Sequence, residues 1–133
     1  MIKPKGIDHI VLRTERYQEL IDFYCNVIGC SLELSKDSLG LTHLRAGNAL
    51  IDIVDVNGEL GKRGGDAPDD MGNNIDHFCL QIALRGEQEL QDYLKSCGVI
   101  CGEFQDRYGA QGMGRSLYIK DIVGNNLELR FMV

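Results

Sequence analysis

The sequence has no tryptophan and only two prolines, and aromatic residues make up 7% of its 133 positions. Proteins that hold single-stranded nucleic acid stack bases on aromatic faces, and here such platforms would have to come from a few Tyr and Phe. Positive charge is also scarce. Fourteen Lys and Arg stand against 20 Asp and Glu, a formal net charge of −6. Phosphate backbones are held mainly by clustered Lys and Arg, so no nucleic-acid partner is expected. No apolar run approaches the roughly 18 residues that a membrane span needs, and the opening MIKPKGIDHIVL has no long apolar stretch and no small-residue cleavage site. The expected setting is therefore cytoplasmic, away from membranes. The five cysteines are odd in number and contain no CxxC pair. They build neither a zinc finger nor a disulfide framework, and are expected as reduced thiols packed as small hydrophobes.

What is present is enough apolar sequence for a folded domain, 44% hydrophobic with 26% charged, in a chain long enough to bury a sizeable core. Its main feature is an internal repeat. Ile7-Asp8-His9 opens one half and Ile75-Asp76-His77 the other. Each is followed by an apolar stretch and then by Gln-Glu-Leu, at 18–20 and 88–90. Leu20, Ile21, Tyr24, Val27 and Ile28 follow the spacing of an amphipathic helix, as do Leu90, Tyr93, Leu94 and Cys97. Both patterns stop at a glycine, Gly29 or Gly98, the usual left-handed cap. From His9 to His77 is 68 residues, and from Gly29 to Gly98 is 69.

Short segments of strand character follow each helix, at 31–34, 41–46 and 49–56, and again at 102–106, 116–119 and 126–132. The predicted fold is α+β, two tandem βαβββ modules forming curled mixed sheets around a cleft. Module one is expected at 6–56, a Gly-rich surface linker at 57–74 and module two at 75–133, together one domain. The stretch YGAQGMG at 108–114 reads as a flexible loop.

Strand alternation puts Asp52 between Ile51 and Ile53, and Glu128 between Leu127 and Leu129. Carboxylates in such strands are costly to bury unless paired, hydrogen-bonded or bound to a metal. A His at the first strand of each half and a carboxylate in the last make a set of four, His9, Asp52, His77 and Glu128. Imidazole suits Zn, Ni, Co and Fe, and oxygen ligands open the set to Mn and Mg. The neutral alternatives are rim histidines and solvated strand carboxylates. His43 stands outside the pattern, with no histidine to match it in the second half.

The segments DHIVL at 8–12, FYCNVIGC at 23–30, DHFCLQI at 76–82 and GNNLEL at 124–129 resemble the vicinal oxygen chelate superfamily. It includes glyoxalase I, methylmalonyl-CoA epimerase, extradiol dioxygenases, fosfomycin-resistance thiol transferases and the bleomycin resistance proteins. The resemblance runs along essentially the whole chain. It implies a paired βαβββ fold with one divalent ion (Ni, Zn, Co, Mn or Fe) on His9, His77 and Glu128. Asp52 occupies a position that is a glutamate in glyoxalase I, one methylene longer. A carboxylate there points toward the four-ligand, proton-transfer branch, with Glu128 as base and Asp52 as its pseudo-symmetric partner. The turn DIVGN at 121–125 departs from the family's usual DPDGN.

The activity so implied is that of a glyoxalase I-like lyase or isomerase on a small carbonyl substrate or its thiol conjugate, with glutathione or another thiol as cosubstrate. The alternatives are an extradiol-type dioxygenase or thiol transferase on the same scaffold, or a small-molecule binding module without catalysis. Arg13, Gln81, Ser116 and Tyr118 are the expected substrate-binding residues, each with an equally simple reading as a solvated strand position. A homodimer is the expected assembly, because in glyoxalase I relatives the ligands of the two halves come from different subunits.

Overall fold

The structure is a computed structural model and describes residues 1–83 and 86–132. The chain divides into two compact units, Met1–Asn74 and Ile75–Val133. Each contains one four-stranded mixed sheet.

In the first unit, β1 (His9–Thr14) leads through α1 (Tyr17–Phe23) to β2 (Ser31–Lys36), β3 (Leu41–Ala46) and β4 (Ala49–Asp55). The spatial order is β1-β4-β3-β2, with β1 parallel to β4 and the rest antiparallel. β1 and β2, joined through α1, run parallel at opposite edges of the sheet, and a crossover of this kind is what a parallel connection requires. α1 widens into a π-helical turn over Tyr24–Ile28 and ends at Gly29, whose φ of 90° only glycine adopts readily. Leu20, Phe23 and Tyr24 on this helix are buried with Leu12, Leu44, Ile51 and Ile53 of the sheet. Tyr17 reaches Thr42 Oγ1 with its hydroxyl, which identifies the Thr42, Leu44, Ile51, Ile53 face as the one under the helix. Ile53 is fully buried, and its truncation to Ala would cost about 2–5 kcal/mol. His9, Val11, Arg13, Asp52 and His43 lie on the other face of the same sheet.

The second unit repeats this plan. β5 (Phe78–Ile82) leads through α2 (Glu87–Ser96) to β6 (Gln105–Gly109), β7 (Gly112–Lys120) and β8 (Asn126–Phe131). The order is β5-β8-β7-β6, again with the first and last strands parallel. Leu90 and Leu94 of α2 join Leu117, Ile119, Leu127 and Leu129 as its buried apolar side chains. Gly98 ends the helix at a φ of 74°. Glu128 and Arg130 point to the face opposite Leu127 and Leu129, beside Cys79 and Gln81 on β5 and Ser116 and Tyr118 on β7.

Three sequence expectations change. The strand expected at 102–106 begins only at Gln105, after an isolated bridge between Cys101 and Ile119. The glycines at 108–114 are not a loop but the end of β6, a two-residue turn and the start of β7. The linker, read as free surface, is tied down. Arg13 donates from its guanidinium to the carbonyls of Gly61, Gly65 and Asp66, and the Asn74 side chain pairs with both backbone groups of Arg13 at 3.0 and 3.1 Å. Asn74 thereby occupies part of an open sheet edge that would otherwise offer unpaired backbone groups.

Candidate functional site

In the second unit, Glu128 sits mid-strand on β8 directly across from Tyr118 on β7. It is buried at 7% exposure. An ionised carboxylate in that position needs donors, and it has them. Ser116, fully buried, donates to Oε1 at 2.6 Å, and the Tyr118 hydroxyl donates to Oε2 at 3.2 Å. His77 places Nε2 3.6 Å from the same Oε2, and its ring meets Tyr118 edge-on at 5.3 Å. His77 lies just before β5 rather than within it. Its Nδ1 is bonded to Asp76 at 2.5 Å. That bond orients the ring, with Nε2 facing the Tyr118 hydroxyl at 3.5 Å and Glu128 Oε2. Burial, then the Glu128 charge, raises the Tyr118 phenol above its usual range, so it remains a donor at neutral pH.

Cys79 is the register partner of Glu128. Its thiol is pushed up to about 11, first by burial and then by the Glu128 charge. It therefore stays largely in the thiol form at neutral pH. Arg107 lays its guanidinium over the Tyr118 ring at 5.1 Å. Among the described residues no carboxylate pairs with Arg107; its one side-chain bond is to Gln105 at 2.8 Å. Sequence reasoning missed this residue, because the strand expected at 102–106 was ended one residue short of it, whereas β6 runs on to Gly109.

The four proposed substrate contacts separate. Ser116 and Tyr118 both hold Glu128. Gln81 is exposed and bonded to Gln111 at 3.0 Å. The Arg13 guanidinium is taken up by the three linker carbonyls, and Gly64 presses against it so closely that a Cβ there would lie 2.4 Å from the guanidinium carbon.

In the first unit, Asp52 is buried at 4% exposure and lies across from His43 on β3. His43 Nδ1 donates to Asp52 Oδ1 at 2.7 Å. His9, exposed at the start of β1, bonds Asp8 through Nδ1 at 2.6 Å. The imidazole of His9 titrates above its ordinary value of 6.5, chiefly through that bond to Asp8 and next through the charge of Asp52. All three histidines of the chain thus bond a carboxylate through Nδ1, as metal-binding histidines commonly do; Nε2 of His77 also lies 3.5 Å from the Tyr118 hydroxyl.

The four proposed ligands fall two to a unit, His9 and Asp52 in one, His77 and Glu128 in the other. Among the described residues no group of three or more His, Cys, Asp or Glu gathers on one point. The pair in the second unit suits a shared ion. At metal–donor bonds near 2.0–2.1 Å, tetrahedral neighbours stand about 3.4 Å apart, against the observed 3.6 Å. Donor type fits as well, imidazole with carboxylate.

A family model described as Glyoxalase/Bleomycin resistance protein/Dioxygenase superfamily matches residues 6–129. No curated protein matches the chain. Among solved structures it is similar to an integron cassette protein from the mobile metagenome of V. cholerae, at 22% identity and a TM-score of 0.79, covering 100% of this chain and 99% of that one. It is also similar to lactoylglutathione lyase from Agrobacterium tumefaciens, at 20% identity and a TM-score of 0.70 over 96% and 94% of the two chains. A genomically encoded fosfomycin resistance protein from Listeria monocytogenes matches at 21% and 0.67, over 100% and 96%. At these identities the structures establish the shared fold. No helix among the described residues is long and apolar enough to cross a membrane.

Proposed function

From the premise that this chain belongs to the Glyoxalase/Bleomycin resistance protein/Dioxygenase superfamily, we propose that it is a divalent-metal-dependent lyase or isomerase acting on a small carbonyl compound or its thiol conjugate. The observation that carries this reading is the environment of Glu128. A buried carboxylate is held at one oxygen by Ser116 and at the other by Tyr118, with Nε2 of His77 3.6 Å away. A solvated strand carboxylate has no use for such a setting.

In the second unit the residues that would hold an ion are His77 and Glu128, His9 and Asp52 are the matching pair of the first, and a homodimer is part of the proposal. When bound, the ion supplies Lewis acidity at the carbonyl oxygen, stabilising the negative charge that builds there. Glu128 takes the proton from the carbon beside that carbonyl and returns it to the neighbouring carbon. Ser116 and Tyr118 fix the carboxylate, so little reorganisation is needed as charge moves. Arg107, stacked on Tyr118, gives this face a cation for an anionic group on the substrate or on a thiol conjugate such as that of glutathione.

The test is elemental analysis of tag-free wild-type and His77→Ala protein, joined to an assay with the hemithioacetal of a 2-oxoaldehyde and glutathione. About one Ni, Zn, Co, Mn or Fe per chain in the wild type, lost in the variant together with turnover, is the expected result. A wild-type chain that takes up none of these ions on reloading overturns the proposal.

A further inference from the structure

The carboxylate of each half has a cross-strand partner at the same register point. Asp52 on β4 faces His43 on β3, and Glu128 on β8 faces Tyr118 on β7. The equivalence extends to the flanking parallel strand, where Val11 pairs with Asp52 and Cys79 with Glu128. The histidine that seemed to lack a counterpart therefore has one, and it is a tyrosine. In both halves the partner donates a hydrogen bond to the carboxylate, at 2.7 Å from His43 Nδ1 and 3.2 Å from the Tyr118 hydroxyl.

We infer that His43 is the positioning residue of the first-half carboxylate, its Nδ1–H fixing the Asp52 rotamer so that Oδ2 is presented for metal binding. The inference rests on the metal-dependent reading above. Burial supports it, since the side chains of His43 and Asp52 are only 18% and 6% exposed, so water competes poorly for the bond. Among the described residues Oδ1 is the only Asp52 side-chain oxygen with a hydrogen bond, which leaves Oδ2 open. Asp52 is also a methylene shorter than Glu128. A short carboxylate has fewer rotamers from which to reach a ligand, and one strong donor suffices to select among them. The role asks only for a donor at Nδ1, which imidazole provides in either charge state.

The test is calorimetric titration of Zn(II) and of Ni(II) into metal-free wild-type, His43→Leu, His43→Asn and His43→Gln protein, with a thermal melt on each. Asn carries its amide donor near the Nδ1 position of histidine, whereas Gln carries it near Nε2. Outer hydrogen-bond partners of metal ligands typically account for 10–100-fold in affinity. His43→Leu and His43→Gln are accordingly expected to bind about 10–100-fold more weakly, and His43→Asn within a few-fold of wild type. Equal losses in Asn and Gln would overturn the role and make the imidazole itself a ligand. An unchanged affinity in His43→Leu would also overturn it. If Leu does not fold, the difference between Asn and Gln decides alone. A wild type that binds neither ion removes the reading on which the inference stands, and is distinguished by failing before any variant is compared.

Discussion

The two halves of the chain build one frame around different chemistry. In each, a His stands at or just before the first strand and a carboxylate within the parallel last strand, and the antiparallel neighbour supplies a donor to that carboxylate. In the second half the carboxylate is Glu128, held at both oxygens by neutral hydroxyls. In the first it is Asp52, held by an imidazole at one oxygen. The position that carries Ser116 in β7 corresponds by register to Leu41 in β3, so no second donor exists there. What the repeat preserves is the placement of charge and donor. What it leaves free is how tightly each carboxylate is held; under the proposed function, the doubly held Glu128 would add proton transfer to ligation, and the singly held Asp52 would serve ligation.

The sharpest way to break this assignment is to remove the two charges separately. Glu128→Gln is expected to lower kcat by about 10²–10⁴-fold, the usual size of a lost general base. Asp52→Asn is expected to act mainly on metal affinity, with a smaller fall in kcat at saturating metal. Steady-state assays of both variants on the hemithioacetal decide it. Equal losses in kcat would mean that the halves share the proton-transfer work.

A second contrast lies in how each half uses an arginine. Arg130 is 3% exposed and donates to the carbonyls of Arg107 and Gly112, drawing the turn between β6 and β7 down onto the sheet. Arg13 does the same for the 61–66 segment but is only half-buried. Arg130→Met leaves two part-buried carbonyls without donors beneath a buried side chain and is expected to cost about 2–3 kcal/mol. Arg13→Met strands three carbonyls, of which those of Gly65 and Asp66 are open to water, and is expected to cost about 1 kcal/mol. Urea melts measure both, and the reverse order would remove the distinction between a core arginine and a strap.

Much of this frame was legible in the sequence. The two His and the paired helix caps stand at matching intervals of 68 and 69 residues, the two carboxylates recur in the last strand of each half, and the βαβββ order and the strand 41–46 follow from alternation and turn residues. The segment 108–114 was misread for a definable reason. Glycines normally mark flexibility, but here they mark contact. A Cβ on Gly109 or Gly114 would lie 2.9 or 2.7 Å from the Arg130 guanidinium, so the strand must be bare where the arginine passes beneath it. A local sequence window cannot see a side chain 16 or 21 positions away. The same blindness hid His43, whose partner became evident only from register, and Arg107, whose neighbour Tyr118 lies on the next strand. Residues that act through the chain's own periodicity were readable; residues that act across strands were not.

That reading yields a smaller test of the same contrast. Gly114→Ala places a methyl against an arginine that the core holds immobile, and is expected to cost about 1–3 kcal/mol. Gly64→Ala meets the end of Arg13, whose surroundings can give way, and is expected to cost under about 1 kcal/mol. Thermal melts showing equal effects would mean that both arginines move equally freely.

The finest contrast concerns protons at His9. In the metal-free chain its imidazole is held above 6.5 by Asp8 and then by Asp52. A folded-state value raised above the unfolded one stabilises the fold fully below about pH 6.5, and that contribution fades as pH rises through the raised value. The group is exposed, so the effect on stability is slight and is better read directly by NMR titration of the His9 ring. Asp8→Asn removes the largest cause and is expected to bring the midpoint down toward 6.5, whereas Asp52→Asn removes the next cause and is expected to bring it down less. A bound cation needs the deprotonated ring, so metal uptake by the wild type must rise with pH across the same window. The onset in Asp8→Asn should then fall at lower pH than in the wild type, even though the variant has lost the bond that orients the ring. An onset that does not move would show that His9 contributes no ligand.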